Sequence, residues 1–285
     1  MSRESWTKQN EAKKGGFVGH QSPAAAEGSF GVPLGATNAV SEHSLLATRH
    51  MAKYGSTSAQ FGSIAVQFRQ WANLNPLAHM YRKPMTLDYH QQSPVLVWPY
   101  HRADMAVVSD GAIAIVITTI DRAADTPKPV SVKGIGFDDG TRDAWWSGPT
   151  NYEGLPVAHA KQKAFADAGI SVADLSVSHF YDCFTGEVVL QLEDYGFCER
   201  GAGAFYAAEG HLGPGGSTPC NTSGGLLSGY HFGDMTGISE SILQLRGDAG
   251  ERQLIDPRFS LVTGHGGELL SPGLCSTHST LILGV

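Results

Sequence analysis

Charge is scarce in this sequence. Asp, Glu, Lys and Arg make up 16% of its 285 residues, against 41% apolar residues, where a globular domain ordinarily carries about a quarter charged. Basic residues show no surplus: the formal net charge is -7, which argues against a general nucleic-acid binder acting through phosphate contacts. Long hydrophobic runs are missing as well. The longest purely apolar run near the middle, Ala112–Ile117, is far too short to cross a bilayer. Residues 1–30 are polar and carry no signal-peptide h-region. Cysteine occurs four times, at 183, 198, 220 and 275, and no two are spaced as CxxC. That spacing suggests neither a zinc site nor a disulfide framework, so no metal is expected and a reducing cytoplasm is the expected compartment.

Glycine, in contrast, is plentiful: 35 residues without a collagen-like period. The length allows one large domain or two modest ones. Residues 1–29 mix Lys, Gln, Gly and Ala without periodicity and read as a loose leader. A short helix is expected at His43–Lys53. Thr57–Ala72 is the clearest amphipathic helix, with Phe61, Ile64, Ala65, Phe68 and Trp71 in one stripe and Arg69 and Gln70 facing away. Asn75-Pro76 ends it. Residues 76–104, with four prolines among scattered aromatics, read as an ordered, extended excursion.

Ser109-Asp110-Gly111 then opens AIAIVITT, a run of buried-strand type. Asp125–Pro129 is a polar linker, and a boundary there divides the chain into 30–125 and 126–285. Further on, strands are expected at 130–137, 172–180, 260–263 and 279–283. Helices are expected at 157–168, with Gly169 as C-cap, at 188–195, and from after His231 to about Arg246. Strands alternating with helices imply an α/β layered domain with a mixed sheet.

One stretch, Pro219–Gly237, invites chemistry. A Gly-Gly turn at Gly224 and Gly225 leads to Tyr230 and His231, and Met235, Ile238, Ile242 and Leu245 then recur at helical spacing. An imidazole beside a helix N-terminus is held neutral and can donate or accept a proton. A plain helix cap on a glycine turn is the other reading of the same residues.

Tyr181-Asp182-Cys183-Phe184, GFCERG at 196–201, PCNTSGG at 219–225, the His231 loop, QLRGDAGERQ at 244–253 and GHGG at 264–267 occur in that order. This series resembles the C-terminal half of the sterol-carrier (lipid-transfer) branch of the thiolase superfamily. YGSTSAQF at 54–61 and the Asn-Pro of ANLNPLA look like that family's loop region, and SDGAIAIVI like the strand closing its first half. The resemblance implies an α/β thiolase-like layered sandwich, usually dimeric, with most of the N-terminal half and its nucleophilic cysteine upstream of everything matched here.

By resemblance Cys183 is the acid/base thiol at the substrate α-carbon, with Tyr181 replacing the family's histidine beside it. His231 falls on the histidine of the enolate-stabilising oxyanion hole, flanked by Tyr230, and Gly264 offers a backbone N–H to a second one. Asn221, Gly224 and Gly225 are expected to bind substrate or oxyanion. His265 reads as a surface residue of a glycine loop. Tyrosines in histidine positions resemble a thiolase-like group that cleaves steroid side-chain thioesters by retro-aldol chemistry, which needs no nucleophilic cysteine.

Three readings of function therefore stand. One is an enzyme acting on a C–C bond next to a coenzyme A thioester, in thiolase or aldolase form. Another is a non-catalytic subunit that binds a lipid thioester, and the third is a truncated frame. The implied substrate is an acyl-CoA, with no permanently bound cofactor. The implied partner is a second copy or an acyl-CoA-binding protein of the OB fold.

Overall fold

The computed structural model describes residues 39–123, 127–139, 155, 157–266 and 277–285. The expected leader, the first residues of the linker, Gly267 and Cys275 lie outside them. Helix α1 spans Ala39–Tyr54 and α2 Ser58–Asn73. A short helix α3, Leu87–Gln92, precedes a hairpin of β1, Val95–Val97, and β2, Tyr100–His101. After a single helical turn α4, Ile120–Ala123, come β3, Ser131–Asp139, and α5, Ala158–Ala168. The rest of the chain is β4, Val177–His179, α6, Thr185–Tyr195, α7, Gly203–Ala208, α8, Asp234–Arg246, β5, Phe259–Gly266, and β6, Thr277–Gly284.

The main sheet runs β3-β6-β5-β4. Its first two pairs are antiparallel and β5-β4 is parallel, so the sheet is mixed, as the alternation of elements implies. Helix α5 packs along β3 and β6, and α8 along β4 and β5. The α5 contact is close because β3 carries glycine where it meets the helix. A Cβ at Gly134 or Gly136 would come within 1.9 Å of the Ala164 or Ala160 carbonyl oxygen.

Helix α6 is the centre of the molecule, buried at every residue but Asp194. A helix buried all round must satisfy its own polar side chains. Glu187 does so with His43 Nδ1 at 2.6 Å. Glu193 meets His50 Nε2 and the Gly203 backbone N–H, both at 2.8 Å. The Tyr195 hydroxyl lies 2.9 Å from His278 Nε2 and 2.5 Å from Thr280 Oγ1 on β6. These contacts lock α1, α7 and the sheet to one helix.

The stripe on α2 is fully buried, while Gln70 is exposed as expected. Arg69 corrects the helical wheel. It is buried, donating from Nε to Ser228 Oγ at 3.0 Å and from Nη1 to the Lys83 carbonyl at 3.1 Å, acceptors on distant turns that helical periodicity does not report. The excursion at 76–104 is ordered through Asp104, which meets His90 Nε2 at 3.0 Å. The same carboxylate accepts the His101 N–H at 2.7 Å and the Thr185 hydroxyl at 2.9 Å.

The expected strand at 112–119 is not formed. Residues 105–109 are stitched to the core: Ala106 N donates to the Cys183 carbonyl and Val107 N to the Leu226 carbonyl, each at 2.9 Å. Beyond them Val116 is 94% and Ile117 85% exposed. An apolar run becomes a buried strand only beside neighbours to pair with, and no described residue ladders with this one. Between 172 and 180 only β4 is extended, a 3-10 turn occupying Val172–Asp174.

Candidate active site

The site forms where the turn after β4 meets the loop before α8. Asp182 joins the two. Its carboxylate, 1% exposed, accepts the Leu226 N–H at 2.8 Å and the Leu227 N–H at 3.2 Å. These residues belong to a π-type turn at Gly225–Gly229 that leads directly into Tyr230 and His231. Burial pushes the Asp182 carboxyl up to about 8, against the pull of the amides. Gly225 is required here. Its φ is +62, and a Cβ would sit 2.1 Å from Asp182 Oδ2.

On the other side of the same turn, Tyr181 N donates to Thr263 Oγ1 at 3.0 Å, and Gln191 Nε2 donates to the Tyr181 carbonyl at 3.0 Å. With its backbone held so, the Tyr181 hydroxyl lies 3.5 Å from His231 Nε2. The His231 N–H donates to Ser109 Oγ at 2.9 Å, so the stitched segment before the exposed run fixes the imidazole from behind. Burial lowers the His231 pKa and keeps the ring neutral; the expected neutrality therefore comes from desolvation. Cys183 Sγ lies 3.2 Å from His265 Nε2.

His265 is not a surface residue. Its ring centroid is 4.4 Å from that of Tyr181 and 5.9 Å from that of His43. The glycines around it continue β5, with Gly264, His265 and Gly266 opposite Ser279, His278 and Thr277, and strand alternation turns the His265 side chain inward. Burial and the nearby His43 and His278 hold its pKa well below the ordinary value.

Tyr181, Cys183 and His231 thus meet, joined by His265. Tyr230 does not join them. Its extended backbone, φ -154 and ψ 152, points neighbouring side chains to opposite sides, and its ring packs 5.6 Å from Phe232. It lines a separate cleft of about 690 Å³ with Leu77, Ile113, Phe232 and Leu243.

The polar atoms of Asn221 are used on the backbone of Phe180, whose N–H and C=O it meets at 2.8 Å each. Gly224, φ +96, leaves room for Ala72. Both residues build the loop, and Asn221 also lines a small cavity with Tyr181, Asp182 and Asp234. At Gly264 the Asp234 carboxylate takes the space a Cβ would fill, so an anion arriving there meets an acid whose pKa burial raises. The QLRGDAGERQ motif is a brace: Arg252 pairs with Glu240 by two bonds of 2.8 and 2.9 Å, and Glu240 accepts from Thr222 at 2.7 Å.

His43, Glu187 and Ser109 escape a sequence reading because they reach the site from other segments. The burial of His43 on one face of α1, with Leu46, Ala47 and His50, is the only local signal among them.

Compared with known proteins, the chain is 36% identical over 222 residues to a steroid side-chain-cleaving aldolase of Thermomonospora curvata, covering 76% of this chain and 56% of that protein. The family described as thiolase C-terminal domain-like matches residues 149–285. The chain belongs to the thiolase superfamily. A 17-hydroxy-3-oxo-4-pregnene-20-carboxyl-CoA lyase of Mycobacterium tuberculosis is 34% identical over 227 residues, 78% of this chain and 58% of that one. The solved structure described as the Ltp2-ChsH2(DUF35) aldolase superposes with a TM-score of 0.82 at 32% identity, over 94% of this chain and 69% of that one. The thiolase-like chain spans a little over half the length of these curated relatives. No helix among the described residues is long and apolar enough to cross a membrane.

Proposed function

We propose that this chain carries the proton-transfer site of a retro-aldolase acting on β-hydroxyacyl-CoA thioesters, those of steroid side chains in particular. The observation that carries the reading is the Tyr181 hydroxyl facing neutral His231 Nε2 at 3.5 Å. Tyr181 takes the proton of the β-hydroxyl while passing its own to His231. The oxygen's electron pair becomes the C=O bond, the Cα–Cβ bond breaks, and its electrons enter the thioester enolate. The same proton then returns through Tyr181 to the α-carbon. A ketone and a shortened acyl-CoA result, and no group is transferred to the protein.

Two cavities support the substrate class. The cleft of about 690 Å³ beside Tyr230 and Phe232 offers apolar wall for a bulky acyl group. The other, about 670 Å³, is lined by Lys83 and Arg102, cations suited to the phosphates of coenzyme A. An OB-fold acyl-CoA-binding protein is the partner we propose, on the analogy of the two-protein Ltp2-ChsH2(DUF35) aldolase.

The contact of 3.2 Å between Cys183 and His265 favours a second reading, thiolase-type acid/base work by the thiol. Turnover of a β-hydroxyacyl-CoA by Tyr181→Phe, Tyr230→Phe and His231→Ala, with and without the partner, separates them. Removing one such phenol is expected to lower turnover roughly a hundredfold or more while folding survives, because the ring is kept. Near wild-type turnover in Tyr181→Phe refutes the aldolase reading. Loss in His231→Ala alone returns the site to enolate stabilisation.

A further inference from the structure

Three side chains from distant segments converge beside Tyr181. His43 comes from α1, Cys183 from the turn before α6 and His265 from β5, and one ligand atom of each lies within 4.8 Å of the others. Two imidazoles and a thiol in one half-buried corner are a metal donor set, one that a search for closely spaced cysteines and histidines cannot detect. The spacing suits a small ion. Bonds of about 2.3 Å to sulfur and about 2.0 Å to nitrogen in a tetrahedral site place ligand atoms roughly 3.3–3.6 Å apart. Cys183 Sγ and His265 Nε2 already stand at 3.2 Å.

The surrounding groups orient the ligands. Glu187 Oε1 holds His43 Nδ1 at 2.6 Å, both side chains being buried, which leaves Nε2 of that ring as the nitrogen for a metal. A carboxylate behind a histidine is the arrangement that fixes the tautomer of a metal-bound imidazole and raises its basicity.

We propose that His43, Cys183 and His265 form a mononuclear zinc site with a fourth position open toward the Tyr181 side. Thiolate with imidazole selects zinc over hard cations such as magnesium or calcium. Three protein ligands with one position left open is the pattern of catalytic zinc. The site stands independently of the proposed reaction, because the retro-aldol steps use Tyr181 and His231 and leave the thiol out. It does compete with the second reading, since a zinc-bound thiolate is not available as an acid/base at carbon.

The test is metal binding by the full chain, read without any activity. After chelator treatment the protein is titrated with Co2+ and then Zn2+. The expected result is one equivalent of Co2+, a near-ultraviolet thiolate-to-cobalt band, intense visible bands of four-coordination, and displacement of both by Zn2+. Cys183→Ser should abolish the thiolate band, and His43→Ala and His265→Ala should each weaken binding severely. Glu187→Gln should weaken it about 10–100-fold. Near-ultraviolet circular dichroism identifies variants that keep the fold, and the wild-type cobalt spectrum decides even if none does. Absence of stoichiometric cobalt in the wild type overturns the proposal. So does a thiolate band that persists in Cys183→Ser, which would belong to Cys198, Cys220 or Cys275, or binding unchanged in both folded histidine variants.

Discussion

Replacing Asp182 with Asn should remove a component of stability that falls as pH rises between about 6.5 and 8. The wild-type carboxyl, pushed up to about 8 by burial, holds its proton in the folded state across a range where the unfolded chain has released it. The folded state then binds more protons, so stability falls as pH rises from the unfolded value toward 8. Other buried groups titrate alongside it. Asp194, raised to about 6, acts in the same direction, whereas His179 and His278, lowered to about 4 and about 3, act in the opposite one. The raised thiols of Cys198 and Cys220 begin to contribute only above about 8, where an unfolded cysteine titrates.

Between pH 6.5 and 8 the imidazoles of His179, His231, His265 and His278, all lowered by burial, pull the other way as the unfolded chain sheds their protons. The Asp182 contribution, roughly 1.5–2 kcal/mol for one proton over that span, is therefore read as the difference between the wild-type and variant slopes. In a chain of this size that difference is worth roughly 3–7 °C in the change of melting temperature across the span. Asn keeps an oxygen for the Leu226 N–H at the cost of facing an amide toward Leu227, so it should be less stable at pH 6.5 and should gain on the wild type as pH rises to 8. Thermal or urea melts of both proteins at pH 6.5, 7.25 and 8 measure the slopes. Parallel slopes would refute the reasoning, because the carboxyl would then be ionised in the folded state and held by its amides.

Gly136→Ala should be far more damaging than a typical Gly→Ala change. Its Cβ would meet the Ala160 carbonyl at 1.9 Å, and with backbone on both sides α5 must shift; expression yield and melting temperature report the loss. Glu240→Gln leaves buried Arg252 without its bidentate partner and should cost about 3–5 kcal/mol, read as the shift of a urea midpoint. A cost under about 1 kcal/mol would mean that the brace is dispensable.

Elements whose signals are local were legible in the sequence. The stripe of α2 is one. The end of α5 at Gly169, φ +64, is another, since a left-handed cap calls for glycine wherever it occurs. The order of motifs is also carried by the sequence itself, and the thiolase assignment follows it.

What misled were residues whose environment is set by other segments. GHGG reads as a loop because glycine is common in loops, yet pairing with β6 makes Gly264, His265 and Gly266 strand and turns His265 inward. AIAIVITT has every property of a buried strand except a neighbouring strand among the described residues. His43 looks like any residue of an amphipathic helix until Glu187 and His265, 144 and 222 positions away, are placed beside it.

The stitching at 105–109 has a consequence for mutational surveys. The His231 amide hangs on the hydroxyl of Ser109, and the backbone of Ala106 and Val107 anchors the Cys183 and Leu226 carbonyls. A deep mutational scan scored on activity would mark this stretch as sensitive, although none of its side chains belongs to the reacting cluster. Scored on abundance, the same stretch would pass as ordinary. The disagreement between the two maps would trace the seam that aligns the imidazole.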